Sequence, residues 1–341
     1  MSPPIIFIHE FFTGGGCQDA RIPPDLAAEG LAMLQGLLAD FRSWGQFTTM
    51  ITVDERMPET PLPADQVIRI RHNQHQDTIA DLIAKSNAAL IIAPENDGIL
   101  FSLTALVEKA GVPLLGSDSD GVIVAGDKWE CYRHFIRAGI LIPKTWRVNS
   151  NRAAKIAEKA GFPLVIKPID GAGCEGVGLT TDRPSLDHAI SADVFRQKDF
   201  LLQRYLEGRH YSVSMLVSGK ESVPLSLNEQ FVRIGQQFTY QGGCIVPKHS
   251  ELRRAIAAAK RSISLIHGLK GYVGVDMVLS EGKWYVIEIN PRITTSYVGL
   301  RSVININLAK ALWLACTRKT LPQKIRLSKR KSFHREDFIG I

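Results

Sequence analysis

The sequence predicts an α/β protein whose C-terminal part is α+β, and three observations carry that prediction. Over roughly the first 120 residues, short apolar runs alternate with segments of helical spacing, the signature of a parallel sheet covered by helices. From Pro143 onward the alternation gives way to short strands and hairpins around longer helices. Residues 274–292 read GVDMVLSEGKWYVIEINPR, two strand-like runs joined by a tight turn over 280–283.

Taken in order, residues 5–8 form a short apolar strand that ends in the glycine cluster Gly14-Gly15-Gly16. Residues 26–41 have helical spacing, 48–53 and 88–93 read as strands, and a helix covers about 76–85 between them. Residues 102–110 are a helix closed by Gly111, and 112–115 are a further strand. In such a sheet ligands bind at the carboxyl ends of the strands. Here those ends are the loops 9–16 and 94–98 (PENDG), carrying Glu10 and Glu95. A helix follows over 128–138, broken by Gly139 and Pro143. Residues 153–160 are a helix, 163–167 a strand, 179–181 and 200–203 strands, with a helix near 186–192. Residues 211–216, 223–228 and the 274–289 hairpin make a second strand set, accompanied by helices over 251–267 and 307–317.

Composition excludes several classes. At 341 residues, 45% hydrophobic and 22% charged, the chain has material for two or three domains and an ample core. No apolar run reaches the roughly 18 residues of a membrane span, and residues 1–8 lack the basic start and long apolar core of a signal peptide. The five cysteines are scattered, odd in number and without a C-x-x-C pair, which predicts a reducing, cytoplasmic setting and no Cys-based metal site. The net charge of +7 invites a nucleic-acid reading, but residues 318–335 hold eight Lys/Arg and no acid. Without those eight, 33 basic residues face 34 acidic ones. The excess is therefore expected as a solvated basic tail, with no nucleic-acid partner.

Chemistry concentrates in the 274–292 hairpin. Period 2 puts Glu288 and Asn290 on one face, and pairing across the turn brings Asp276 opposite them. Two carboxylates and an amide oxygen, without Cys or His, make a hard-oxygen site suited to Mg²⁺ held partly by substrate phosphates. Upstream, residues 171–178 (GAGCEGVG) contain G-x-G-x-x-G after a strand, but β-like VGLTT follows where a dinucleotide site needs a helix. These glycines therefore cap a hairpin whose backbone N–H groups suit phosphates. Lys167, inside the apolar run LVIKP just before it, needs an anion.

Four blocks in order make the chain resemble the ATP-grasp superfamily over about 123–314. Gly126-Asp-Lys128 looks like the first phosphate lysine and Val165-Ile-Lys167-Pro with the glycine hairpin like the second lysine and its lid. LLQRYLEGRHYS over 201–212 looks like the adenine hinge, and Asp276, Glu288, Asn290 and Arg292 like the metal ligands and the arginine near the γ-phosphate. The hinge departs twice: Gln203 replaces the usual acid, and His210 stands where a carboxylate takes the ribose hydroxyls. The resemblance implies an ATP-grasp fold preceded by a small parallel-sheet α/β domain. Its implied divisions are residues 1–122, a lid subdomain over 123–200, a metal-bearing subdomain over 201–317, and the basic tail over 318–341.

The resemblance further implies an ATP-dependent ligase that forms a C–N amide bond through an acyl phosphate and releases ADP. Arg292 and Lys167 would be catalytic. Lys128, Lys167, Gly171, Gly173, Gly176, Gln203, Arg204, Tyr205, Leu206 and His210 would hold ATP. Asp276, Glu288 and Asn290 would hold one or two Mg²⁺, with Mn²⁺ the alternative cation. EFFTGGG, PENDG, Tyr240-Gln-Gly-Gly243 and NPRITTSYVGLR are similar to the tyramine–glutamate ligases of methanofuran-type cofactor biosynthesis. They imply small-molecule substrates, a carboxylate (glutamate favoured) and an amine (tyramine-like favoured). Glu10, Glu95 and Tyr297 are candidates for the amine, and Arg301, Arg233 and the 294–296 backbone for the free carboxylate. Self-association into a homo-oligomer is compatible with the reading. The alternatives are another ATP-grasp amino-acid or dipeptide ligase, or a non-catalytic nucleotide-binding module.

Overall fold

The computed structural model describes residues 3–339 other than 19, 60, 72 and 73; residues 1–2 and 340–341 lie outside the described residues. Three sheets organise the chain. The first is parallel, with β1 (Ile5–Glu10), β2 (Thr48–Asp54), β3 (Gln66–Ile70) and β4 (Ala88–Ile92) in the order β3-β2-β1-β4. Its helices are α1 (Pro24–Trp44), α2 (His75–Ala84) and α3 (Ile99–Lys109). Helix α1 starts at a proline, whose missing N–H costs nothing there, and ends at the left-handed Gly45. Strand β3, exposed along most of its length, lacks the apolar run that marks a strand. Residues 112–115, expected as a strand, contribute only one parallel bridge, Ala89 to Leu114.

Helices α4 (Ser119–Gly126) and α5 (Lys128–Arg137) lead to a four-stranded antiparallel sheet, β5 (Thr145–Val148), β6 (Leu164–Pro168), β7 (Gly178–Thr180) and β8 (Phe200–Arg204), ordered β5-β8-β6-β7. Helices α6 (Ser150–Ala160) and α7 (Arg183–Ile190) cover it, and Val148, Ala157, Leu164, Ile166, Leu186 and Phe200 form its separate core. The glycine segment caps the β6–β7 hairpin, as its β-like sequel required.

The third sheet is antiparallel, with β9 (Arg209–Ser218), β10 (Glu221–Arg233), β11 (Thr239–Val246), β12 (Gly271–Ser280), β13 (Lys283–Asn290) and β14 (Lys331–His334) in the order β13-β12-β9-β10-β11-β14. Helix α8 (Leu252–Ile263) packs on one face. Short α9 (Ser296–Leu300), α10 (Leu308–Arg318) and α11 (Glu336–Ile339) join the other face to α1 and the first sheet in one shared core.

The basic segment after residue 318 departs from expectation. It is not a solvated tail: β14 pairs with β11, and Phe333 and Phe338 are buried in the core shared with α1. Arg335 pairs with Glu29 at 2.6 Å and with Asp25 at 3.4 Å, both on α1. The other lysines and arginines of the segment face solvent, while two phenylalanines and Arg335 anchor it.

Candidate active site

The β12–β13 hairpin sets the floor of the site. Its register places Asp276 directly opposite Glu288 and Gly274 opposite Asn290. Immediately beyond Asp276 the register slips, leaving Ile287 extra, so Ile287 and Glu288 both reach the cavity above. Asn290 Nδ2 donates to Asp276 Oδ2 and Gln230 Nε2 to Asp276 Oδ1, each at 3.1 Å. Burial raises the pKa of Asp276, and the neighbouring Glu288 charge adds to the rise. Burial also works to raise Glu288, but Lys128 and Lys167 outweigh it and hold that carboxyl below its usual value. The floor therefore holds one carboxylate compensated by lysines and one short of a cation.

The two lysines arrive from different elements. Asp127 caps α5 by accepting from Trp129 N and Glu130 N, which fixes Lys128 at the first helical position. Lys128 Nζ donates to Gly171 O at 2.8 Å and lies 3.5 Å from Glu288 Oε2. Lys167 sits in the middle of β6 with 3% exposure. Burial brings its pKa down to about 8, against the pull of Glu288. Its ammonium donates to Gln203 Oε1 at 3.0 Å, and Gln203 Nε2 donates in turn to Thr145 Oγ1 at 2.8 Å. Gln203, expected at adenine, thus places both the oxygen and the nitrogen of its amide on protein partners and orients the lysine.

Above the floor lies a partly open cavity of about 130 Å³, concave and mostly apolar with a few converging polar groups, as small-ligand sites are. Val165, Leu206, Val232, Met277, Val278 and Ile287 supply its apolar walls; Lys128, Lys167, Asp276 and Glu288 lie at its polar end. Tyr205, Arg204 and His210 also line it. Arg204 turns its guanidinium to the carbonyls of Ala160 and Gly161, so only its stem serves the cavity. His210 Nε2 is buried without a partner among the described residues, and burial lowers its pKa, favouring the neutral form.

The glycine segment covers the polar end. Gly171 lines the cavity, whereas Gly176 faces a groove behind the lid and exposed Gly173 lies over Leu26 of α1. Gly171, Gly173 and Gly176 all have positive φ, which side-chain-bearing residues adopt only under strain. The loop after β6 and the segment before β8 are tied to the PENDG loop by Asp97 N donating to Asp170 Oδ2 at 2.8 Å and by Lys198 on Asp97 at 3.2 Å.

Arg292 lies just past β13 and meets Glu95 through two N–H···O bonds of 2.9 and 3.0 Å. Arg301 and Tyr297 both engage Asp40 on α1. Glu95, Arg301 and Tyr297 are therefore interdomain contacts rather than free substrate anchors. The sequence singles out Tyr240 only as part of a motif and gives Gln230 and Cys174 no site role, yet all three line the same cavity; a bulge at Gln241 turns Tyr240 there, and no periodicity shows it.

Among the described residues no group of three or more His, Cys, Asp or Glu side chains is arranged for a metal. The donor chemistry nonetheless fits a hard divalent cation. Asp276 lacks a cation, Glu288 lies beside it, and a phosphate chain would complete the oxygens. No described helix is long and apolar enough to cross a membrane.

Residues 125–296 match the ATP-grasp domain model, and 47–122 match the pre ATP-grasp 3 domain model. The tyramine–L-glutamate ligase of Methanocaldococcus fervens is 32% identical over 87% of this chain and 90% of its own. That of Methanocaldococcus jannaschii is 28% identical over 94% and 92%. A crystal structure from Archaeoglobus fulgidus, assigned to the ATP-grasp superfamily, superposes with a TM-score of 0.72 at 29% identity, covering 97% of this chain and 92% of that one.

Proposed function

The chain belongs to the ATP-grasp family, and from that premise we propose that it is an ADP-forming carboxylate–amine ligase joining glutamate to tyramine or a closely related amine. The observation that carries the reading is the single cavity in which Lys128, Lys167, Asp276 and Glu288 converge at one end and apolar hinge residues at the other. That polarity fits a nucleotide lying with its base on Leu206, Met277 and Val278 and its phosphates toward the lysines. The substrate pair comes from the two curated relatives.

In this reading Lys128 and Lys167 neutralise phosphate oxygens, and Gln203 keeps the Lys167 ammonium aimed. Asp276, Glu288 and Asn290 would hold Mg²⁺, which when bound draws charge from the β- and γ-phosphates. Arg292, its Nε and Nη2 held by Glu95, supplies a fixed positive charge beside the transferring phosphoryl group. The lid over Gly171–Gly176 excludes water, to which an acyl phosphate would otherwise be lost. The units 1–122, 123–200 and 201–317 then supply the substrate loops, the lid and the floor. No protein nucleophile is needed: burial pushes the Cys174 thiol up to about 12, far from a thiolate.

The deciding experiment measures ADP release over carboxylate–amine pairs. ADP formation that requires glutamate together with tyramine supports the proposal. Dependence on bicarbonate, or ATP binding without turnover for any pair, overturns it.

A further inference from the structure

The Tyr240-Gln-Gly-Gly243 string finds its explanation in a bulge. Along the β10–β11 ladder Gln230 faces Gly243, Phe231 faces Gly242, and then Val232 faces Tyr240, so Gln241 has no partner. In a regular ladder Val232 would face Gln241, and period 2 would turn Tyr240 to the opposite side of the sheet. The extra residue instead puts Tyr240 on the face of Gln230 and Val232, and all three line the cavity. The glycines make room: Gly242 has φ +127°, and a Cβ there would run into the Phe333 carbonyl of β14.

The hydroxyl that this manoeuvre delivers has a defined orientation. Tyr240 accepts from Thr295 Oγ1 at 3.2 Å, and among the described residues nothing accepts its own proton. Burial raises its pKa, with Glu29, Asp276 and Cys174 acting in the same direction. It therefore stays a neutral donor between α1 and the metal floor. The other donors nearby each have a protein partner: Lys128 has Gly171 and Glu288, Arg292 has Glu95, and Gln230 has Asp276. A phenol carries a single donatable proton, and that of Tyr240 is left for a carboxylate oxygen.

We propose that Tyr240 donates its hydroxyl proton in a hydrogen bond to one carboxylate oxygen of the acyl-donor substrate, leaving the other oxygen free to attack the terminal phosphate. The inference rests on the ligase reading above. The free oxygen forms a bond to the γ-phosphorus while the bond from that phosphorus to the β–γ bridging oxygen breaks, and ADP leaves with the electron pair. The phenol keeps its proton throughout. It then faces the acyl oxygen on which negative charge develops when the amine adds.

The test compares wild type with Tyr240→Phe, which keeps the ring and removes the donor. The probe is glutamate with ATP and hydroxylamine, which traps an acyl phosphate as a hydroxamate. In the variant, kcat/KM for glutamate should fall roughly 10- to 100-fold, the worth of a hydrogen bond to a charged group. ADP affinity and melting temperature should stay at wild-type values. Unchanged glutamate kinetics overturn the inference and leave the ligase reading standing. An equal loss of ADP affinity overturns it too, since that marks a structural role. A wild type that binds ATP but yields no hydroxamate with any carboxylate removes the ligase reading itself, and this inference with it.

Discussion

Arg292 and Glu95 are 197 positions apart in the chain, yet they meet through two N–H···O bonds of 2.9 and 3.0 Å. One lies beside the acidic floor and the other on the PENDG loop of the first domain, so the fork fixes the arginine and joins the two domains at once. Glu95→Gln keeps the shape but cannot match both N–H groups with oxygens. Turnover should fall roughly 10-fold or more, the cost of a misplaced catalytic group, with ADP affinity retained. Wild-type turnover would show that Arg292 needs no orienting partner.

Removing the charges themselves should cost more. Lys167→Ala or Arg292→Ala is expected to lower kcat by roughly 10²–10³, the usual loss for one donor to developing charge. Circular dichroism and melting should show a folded protein. Full activity in both variants would contradict the assignment of the site.

Proton linkage at Lys167 gives a pH signature. Burial sets its pKa near 8, below the lysine value of 10.5 in the unfolded chain. Between those values the unfolded state binds more protons, so the contribution of this group to ligand-free stability rises with pH across that window. Nucleotide phosphates need the charged form. Affinity for ADP should therefore weaken above pH 8 by about tenfold per pH unit, and Lys167→Met should abolish that slope. A flat wild-type titration between pH 7 and 9 would refute it.

His210 lines the cavity, and its buried Nε2 has no partner among the described residues. If the ribose hydroxyls supply that partner, wild type should prefer ATP over 2′-deoxy-ATP and His210→Ala should lose most of the preference. The expected change is about 5- to 10-fold, one neutral hydrogen bond. Equal discrimination by both proteins would place the ribose elsewhere.

The final segment carries stability. Phe333, 4% exposed, lies in the core shared with α1. Phe333→Ala should destabilise the protein by roughly 3–5 kcal/mol, as for other buried aromatics, read as a lower denaturant midpoint. A change under about 1 kcal/mol would mean the strand is only loosely attached.

That segment also shows where sequence reading stops. The parallel-sheet strands β1, β2 and β4 were legible because they are buried on both faces and so spell continuous apolar runs. Strand β14 was not, because only Phe333 of KSFH turns inward while lysines and arginines dominate its surroundings. At the site, hairpin spacing brought the Asp276 and Glu288 strands together, but the extra residue Ile287 that sets the two carboxylates opposite each other was not legible. The engagement of Gln203 with Lys167, of Glu95 with Arg292, and the turning of Tyr240 into the cavity depend on register and on long-range contacts that no local period encodes.

Lys128 Nζ bonds the Gly171 carbonyl of the glycine segment and lies 3.5 Å from Glu288 of the floor. An ammonium has three N–H donors, so a phosphate can share this cation with both oxygens. Phosphate, glycine segment and floor would then meet on one charge, which couples nucleotide binding to the position of the segment that covers it. An anion too small to reach further donors gains little there, so simple salts such as chloride should compete poorly for the site.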